Sequence, residues 1–199
     1  MKFGMVLSLG LIFQLSWASV VFPDAVGGAL TLLSIHTNPG SVALRKQYPR
    51  KIDEQGTVMI TPGVEGYYDQ PFPVPFWEIK TMRFAVGGQY DCADLKAGYL
   101  HWGGRWEIPW REAIQFSLGL GPTLIFRESW QRQFPGQVED EQGFWTESEN
   151  FLSGYQHKWL LAGTIDLQYQ FMPQWQAVWS IVPAVFIVVI NSIGVRYSF

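Results

Sequence analysis

Cysteine is nearly absent. Cys92 is the only one in 199 residues, so no disulfide can form within the chain. Charge is scarce as well, at 16% of residues, against about 25% in ordinary soluble domains. Acidic residues outnumber basic ones by 17 to 14, for a formal net charge of −3. No basic surface therefore argues for nucleic acid. The three histidines, His36, His101 and His157, are too scattered for a metal motif, and no cofactor is expected. Beyond the first residues no long apolar run remains. The stretch 181–190 is short and interrupted by Pro183, so it falls below the roughly 20 residues of a spanning helix. Internal repeats and low-complexity segments are missing too.

Aromatic residues are plentiful, at 16% with ten tryptophans, and the mean hydropathy is +0.04. That value is low for a helical membrane protein and high for a soluble one. It suits strands whose two faces meet different solvents, because alternating hydropathies average out. The N-terminus reads as a targeting signal. Lys2 supplies the positive charge, residues 3–17 the apolar region, and Ser16-Trp17-Ala18 the small residues at a cleavage site. Cleavage after Ala18 would leave 19–199 as one domain of single-domain length.

Period two runs through that domain. Ile114, Phe116, Leu118, Leu120, Pro122, Leu124 and Phe126 form one face, and Gln115, Ser117, Gly119, Gly121, Thr123, Ile125 and Arg127 the other. This exceeds the about 5–6 residues of a common globular strand and suits a tilted membrane strand of about 9–11 residues or more. The same alternation predicts eight strands at about 28–37, 57–69, 77–91, 94–106, 113–129, 156–171, 174–186 and 190–199. The connections 70–76, 109–112 and 172–174 are short and each contains proline, and they would lie with both termini on the periplasmic side. The longest connections, 37–56 and 130–155, would be outer loops, as in bacterial barrels. Trp77, Trp106, Trp110, Trp130, Trp159 and Trp175 fall near the predicted strand ends, where an interfacial girdle belongs. The expected fold is an all-β, eight-stranded antiparallel up-and-down transmembrane barrel.

The last strand carries the most specific signal. Ile193, Val195, Tyr197 and Phe199 share one face, and the sequence stops on the aromatic Phe199. This pattern resembles the C-terminal signature of bacterial outer-membrane β-barrel proteins of the small eight-stranded class. The resemblance implies an outer-membrane location, contact with its lipids and lipopolysaccharide, and recognition by the barrel-assembly machinery, with Tyr197 and Phe199 as the assembly signal.

An eight-stranded barrel is narrow enough for side chains to fill it, so a general diffusion pore is not expected. The inward faces carry Glu65, Arg83, Asp91, Arg105, Glu107, Arg127, Asp166 and Arg196, of mixed sign, and buried charges must pair. A salt-bridged polar network in the lumen is therefore expected, with Glu65, Asp91 or Asp166 as the partner of Arg105. His101 shares that face and could pair with Glu107 or Asp91.

Catalytic candidates are few. Ser34, His36 and Asn38 would share a strand face, and a serine beside a histidine is what acyl transfer requires. Yet the His-x-Ser-Asn signature of the lipid A deacylases is absent. Pro122 and Pro183 stand inside strand patterns, where proline removes a ladder hydrogen bond; the palmitoyltransferase barrels use prolines in that way. Cys92 reads as a turn residue between Asp91 and Asp94. Glu139, Asp140, Glu141, Glu147 and Glu149 form an acidic outer segment that could meet divalent cations. The leading functional expectation is a structural or surface-interaction role through the outer loops. The alternative is a lipid-modifying enzyme, an acyl hydrolase or acyltransferase acting on lipid A or phospholipid.

Overall fold

A computed structural model describes residues 25–36, 49–76, 79–91, 93–129, 146–147, 154–184 and 188–199. The expected leader, Asn38, Cys92, Trp77, Trp130 and the side chains of the acidic segment at 139–149 lie outside these residues. The strands are β1 (Ala25–His36), β2 (Val58–Phe76), β3 (Ile79–Tyr90), β4 (Lys96–Arg111), β5 (Ile114–Glu128), β6 (Thr146–Glu147), β7 (Tyr155–Met172), β8 (Trp175–Ala184) and β9 (Val188–Ser198). Each pairs antiparallel with its neighbours, β1 pairs β9, and β5 pairs β7. The sheet thus closes on itself as an eight-stranded barrel. The short β6 adds to the outer end of β7, at Thr146↔His157 and Glu147↔Gln156.

Alternation decides which side each residue meets. One outward residue from each wall strand makes the point: Leu30, Val64, Phe84, Trp102, Leu120, Leu161, Trp179 and Ile193 are between 44% and 69% exposed. The inward positions Asp69, Arg83, Arg105, Asp166 and Arg196 are 0–5% exposed. This distribution inverts that of a water-soluble protein, in which charged residues stay outside. It fits a wall surrounded by hydrocarbon, where closure satisfies the backbone and leaves no edge.

Strands run further than the alternation alone suggested, and the turns shrink accordingly. The segments 70–76 and 109–111, expected as turns, continue β2 and β4 as strand. Only two residues separate β4 from β5 and β7 from β8. The reason is that proline fits extended backbone and lacks only the donor. The register accordingly jumps between Pro71↔Thr81 and Phe76↔Ile79, and between Pro109↔Gln115 and Arg111↔Ile114. β1 also starts earlier than expected, at Ala25, opposite Asp69 and Ser198.

The interior prolines have a similar local effect. Pro122 keeps its pairing with Leu161 on β7, while the β4–β5 ladder passes from His101↔Thr123 directly to Gly104↔Leu120. Pro183 pairs Val189 on β9, while among the described residues the β7–β8 ladder ends at Ile165↔Ile181. A bulge in β1 between Thr31 and Leu33 exposes both Leu32 and Leu33 and turns Ser34 inward.

Aromatic side chains gather at the end where β1 starts and β9 stops. Trp175 packs tilted against Tyr197 (4.9 Å) and Tyr197 edge-to-face against Phe199 (5.1 Å), with Trp110 beside Phe116 (5.1 Å). Trp106, expected at a strand end, instead lies within β4, and Trp159 within β7. At the opposite end a hairpin before β2 is fixed by Asp53, whose Oδ1 accepts the Val58 N–H at 2.7 Å. That bond holds the Asp53 carboxyl below its usual range. Arg50 ties this hairpin to the β3–β4 turn through Asp94, donating from Nε at 2.7 Å, and lies over the Tyr90 ring.

Candidate functional site

The inward face of β3 places Arg83 opposite Asp69 of β2, and these two begin a chain of ion pairs across the lumen. Arg83 Nε and Nη2 donate to the two oxygens of Asp69 at 2.6 and 2.8 Å, a two-point contact with planar geometry on both sides. Arg83 Nη1 reaches across to Asp166 Oδ2 of β7 at 3.0 Å. Arg105 Nη2 of β4 meets that same oxygen at 2.5 Å. On the other side Arg196 Nε of β9 donates to Asp69 Oδ2 at 3.1 Å and its Nη1 to Gln176 Oε1 at 2.9 Å. The series Arg196–Asp69–Arg83–Asp166–Arg105 therefore links five of the eight wall strands.

Glycines make room for it. Tyr67 lies across Gly27, its cross-strand partner, where an added Cβ would come within 2.2 Å of the ring. Tyr99 lies likewise across Gly87, at 2.4 Å. The Tyr67 ring receives the Arg83 guanidinium on its face at 3.6 Å, a cation–π contact in a desolvated site. The Tyr99 hydroxyl donates to Glu65 Oε2. Beside the layer, Gln168 Nε2 donates to Ser117 Oγ at 2.9 Å, and His101 Nδ1 shares a hydrogen bond with Thr123 Oγ1 at 2.7 Å.

The structure separates the expected network into parts. Arg83, Arg105, Asp166 and Arg196 come together, and Arg105 meets Asp166 rather than Glu65 or Asp91. Glu65 joins through Tyr99. Asp91 instead caps the β3–β4 turn, accepting the N–H groups of Ala93 and Leu95 at 2.9 Å each. It sits there because its strand has ended. Glu107 and Arg127 are half-buried towards opposite ends of the barrel and stand outside the ion-pair chain. His101 pairs with Thr123, not with Glu107 or Asp91. Ser34 is 1% exposed on the inward side, whereas the side chain of His36 lies outside the described residues. Asp69 and Tyr67 were missed by sequence reasoning, although counting in twos from Glu65 reaches both.

Chemically, such a chain can brace the wall. Paired guanidinium and carboxylate groups compensate each other's desolvation, and losing one member leaves an uncompensated buried charge. Among the described residues no group of three or more His, Cys, Asp or Glu is placed to hold a metal ion.

A closed wall with an apolar exterior, a charged interior, an even strand number, and the start of β1 and end of β9 at the short-turn end defines an integral outer-membrane β-barrel. No family model matches the sequence, and no curated protein does. Among solved structures the chain is similar to Neisserial surface protein A, with a TM-score of 0.48 and 11% identity over 88% of this chain and 96% of that one. It is also similar to the N-terminal β-barrel domain of Pseudomonas aeruginosa OprF, at 0.47 and 10% over 89% and 98%. A third likeness is to Ail, the attachment invasion locus protein of Yersinia pestis, in complex with the heparin analogue sucrose octasulfate, at 0.42 and 14% over 88% and 95%. Each likeness is one of overall shape.

Proposed function

We propose that the chain is a surface-interaction protein whose rigid barrel displays its outer loops, 38–56 and 130–155, at the cell exterior. The observation that carries this reading is the buried Arg196–Asp69–Arg83–Asp166–Arg105 series. Side chains that are 0–5% exposed and tied to one another occupy the middle of the lumen. A barrel so filled serves as a mount rather than a wide channel. What it offers to partners is then its lipid face and its outer end. In this reading residues 1–18 direct export and are removed. The exposed Phe199, beside Tyr197, presents the terminal strand to the assembly machinery. Lipopolysaccharide surrounds the outer rim.

The test replaces residues 38–56 and 130–153 by short glycine–serine linkers. Both variants should keep heat-modifiable mobility on gels while adhesion of whole cells to extracellular-matrix proteins falls to that of cells lacking the protein. Mass spectrometry of lipid A from the same cells should show no change in acyl content. Unchanged adhesion would overturn the reading, and a lipid A whose acylation depends on the protein would favour the lipid-modifying alternative.

A further inference from the structure

Arg105 ends the ion-pair chain with most of its donors unused. It is 1% exposed, and its Nε and Nη1 have no hydrogen-bond partner. Thr81, its cross-strand partner on β3, is buried with Oγ1 unbonded. Gln168, the next inward residue after Asp166 on β7, is 1% exposed and leaves Oε1 unbonded. Buried donors and acceptors left unmade cost about 1–3 kcal/mol each, and charged ones more. These unbonded atoms therefore point to a small ligand beside them. The set is mixed: the guanidinium can only donate, and Gln168 Oε1 can only accept. An anion would serve the first and repel the second. Water serves both.

The surroundings give that water an entrance. Gln168 also lines a cavity of about 90 Å³ at the terminus-bearing mouth, together with Gln115, Gln170, Gln176, Arg111 and Glu112. A water needs at least about 10–15 Å³ of such space, so several fit. Towards the outer end the layer is flanked by Tyr67, His101 and Tyr99. Tyr67 lies under Arg83, His101 is bonded to Thr123, and Tyr99 is bonded to Glu65. We propose that the Arg105 end of the ion-pair layer is a water-binding chamber filled from the terminus-bearing mouth, with Gln168 at its threshold.

Arginine side-chain NMR on the whole protein in detergent micelles tests this directly. The internal reference is Arg83, whose Nε is bonded to Asp69 at 2.6 Å. The Nε–H of Arg105 should exchange with solvent at least about tenfold faster than that of Arg83. Gln115→Trp, which crowds the mouth, should slow Arg105 exchange while leaving Arg83 unchanged. Equal protection of the two arginines in the unaltered protein would overturn the chamber. Fast exchange indifferent to Gln115→Trp would overturn its entrance. A shift of the Arg105 resonance when chloride replaces gluconate at constant ionic strength would overturn water as the occupant in favour of an anion.

Discussion

Trp102 and Arg105 stand three residues apart on β4 and meet opposite surroundings, at 59% and 1% exposure. The outward residue needs only to be apolar. Hydrocarbon around it is fluid and asks for no fixed partner, so its size and shape are loosely constrained. The inward residue needs a particular atom at a particular place, since Asp166 Oδ2 lies 2.5 Å from its Nη2. One strand thus carries a permissive face and a strict one. Substitutions of similar size should separate them sharply.

Removal of the central arginine should have the largest effect. Arg83→Met deprives both Asp69 and Asp166 of a partner and should destabilise the barrel by at least about 3–5 kcal/mol in urea-dependent folding into lipid vesicles. A loss under about 1 kcal/mol, the worth of an exposed pair, would mean that the layer is solvated rather than buried. On the outer face, Leu120→Arg places a charge among hydrocarbon and should cost about 2–4 kcal/mol in the same assay if the site lies near the midplane. Indifference there would place Leu120 outside the lipid band. A smaller effect is expected at Ser117→Ala, which takes the acceptor from Gln168 Nε2 and should cost about 1–3 kcal/mol. The mildest change is Val64→Ile on the permissive face, expected to shift stability by less than about 1 kcal/mol. A larger penalty at Val64 would show that the outer face packs against a fixed partner.

The permissive face was the more legible of the two. Its apolar residues recur every second position, so strand number and strand faces follow from the period, and the sidedness from the lengths of the connections. The strict face was legible only in part. The parity that places Arg83 and Arg105 inward also reaches Asp69, but a strand ended at that residue hid its role. Pairings such as Arg83 with Asp166, 83 residues away, depend on how far the closing strands are staggered. No local pattern carries that stagger, whereas the Thr123 partner of His101 follows from the register of the β4–β5 hairpin. The β1 bulge is equally invisible, because it reconciles Thr31 and Leu33 with the registers of two neighbours at once. Asp91 misled because a strand's final inward position and a turn cap look alike in sequence. The prolines of 71–75 and Pro109 misled because proline marks turns in soluble proteins, whereas here the strands extend through them.

The most direct test of the ion-pair layer as the element that binds the wall together is a double-mutant cycle on Arg105 and Asp166. Arg105→Met, Asp166→Leu and the double variant would be unfolded in urea from lipid vesicles. The two single losses should sum to about 1–3 kcal/mol more than the double loss, because each single change strands the charge that the other would have removed. Strictly additive losses would contradict direct coupling and with it the strut that this contact completes.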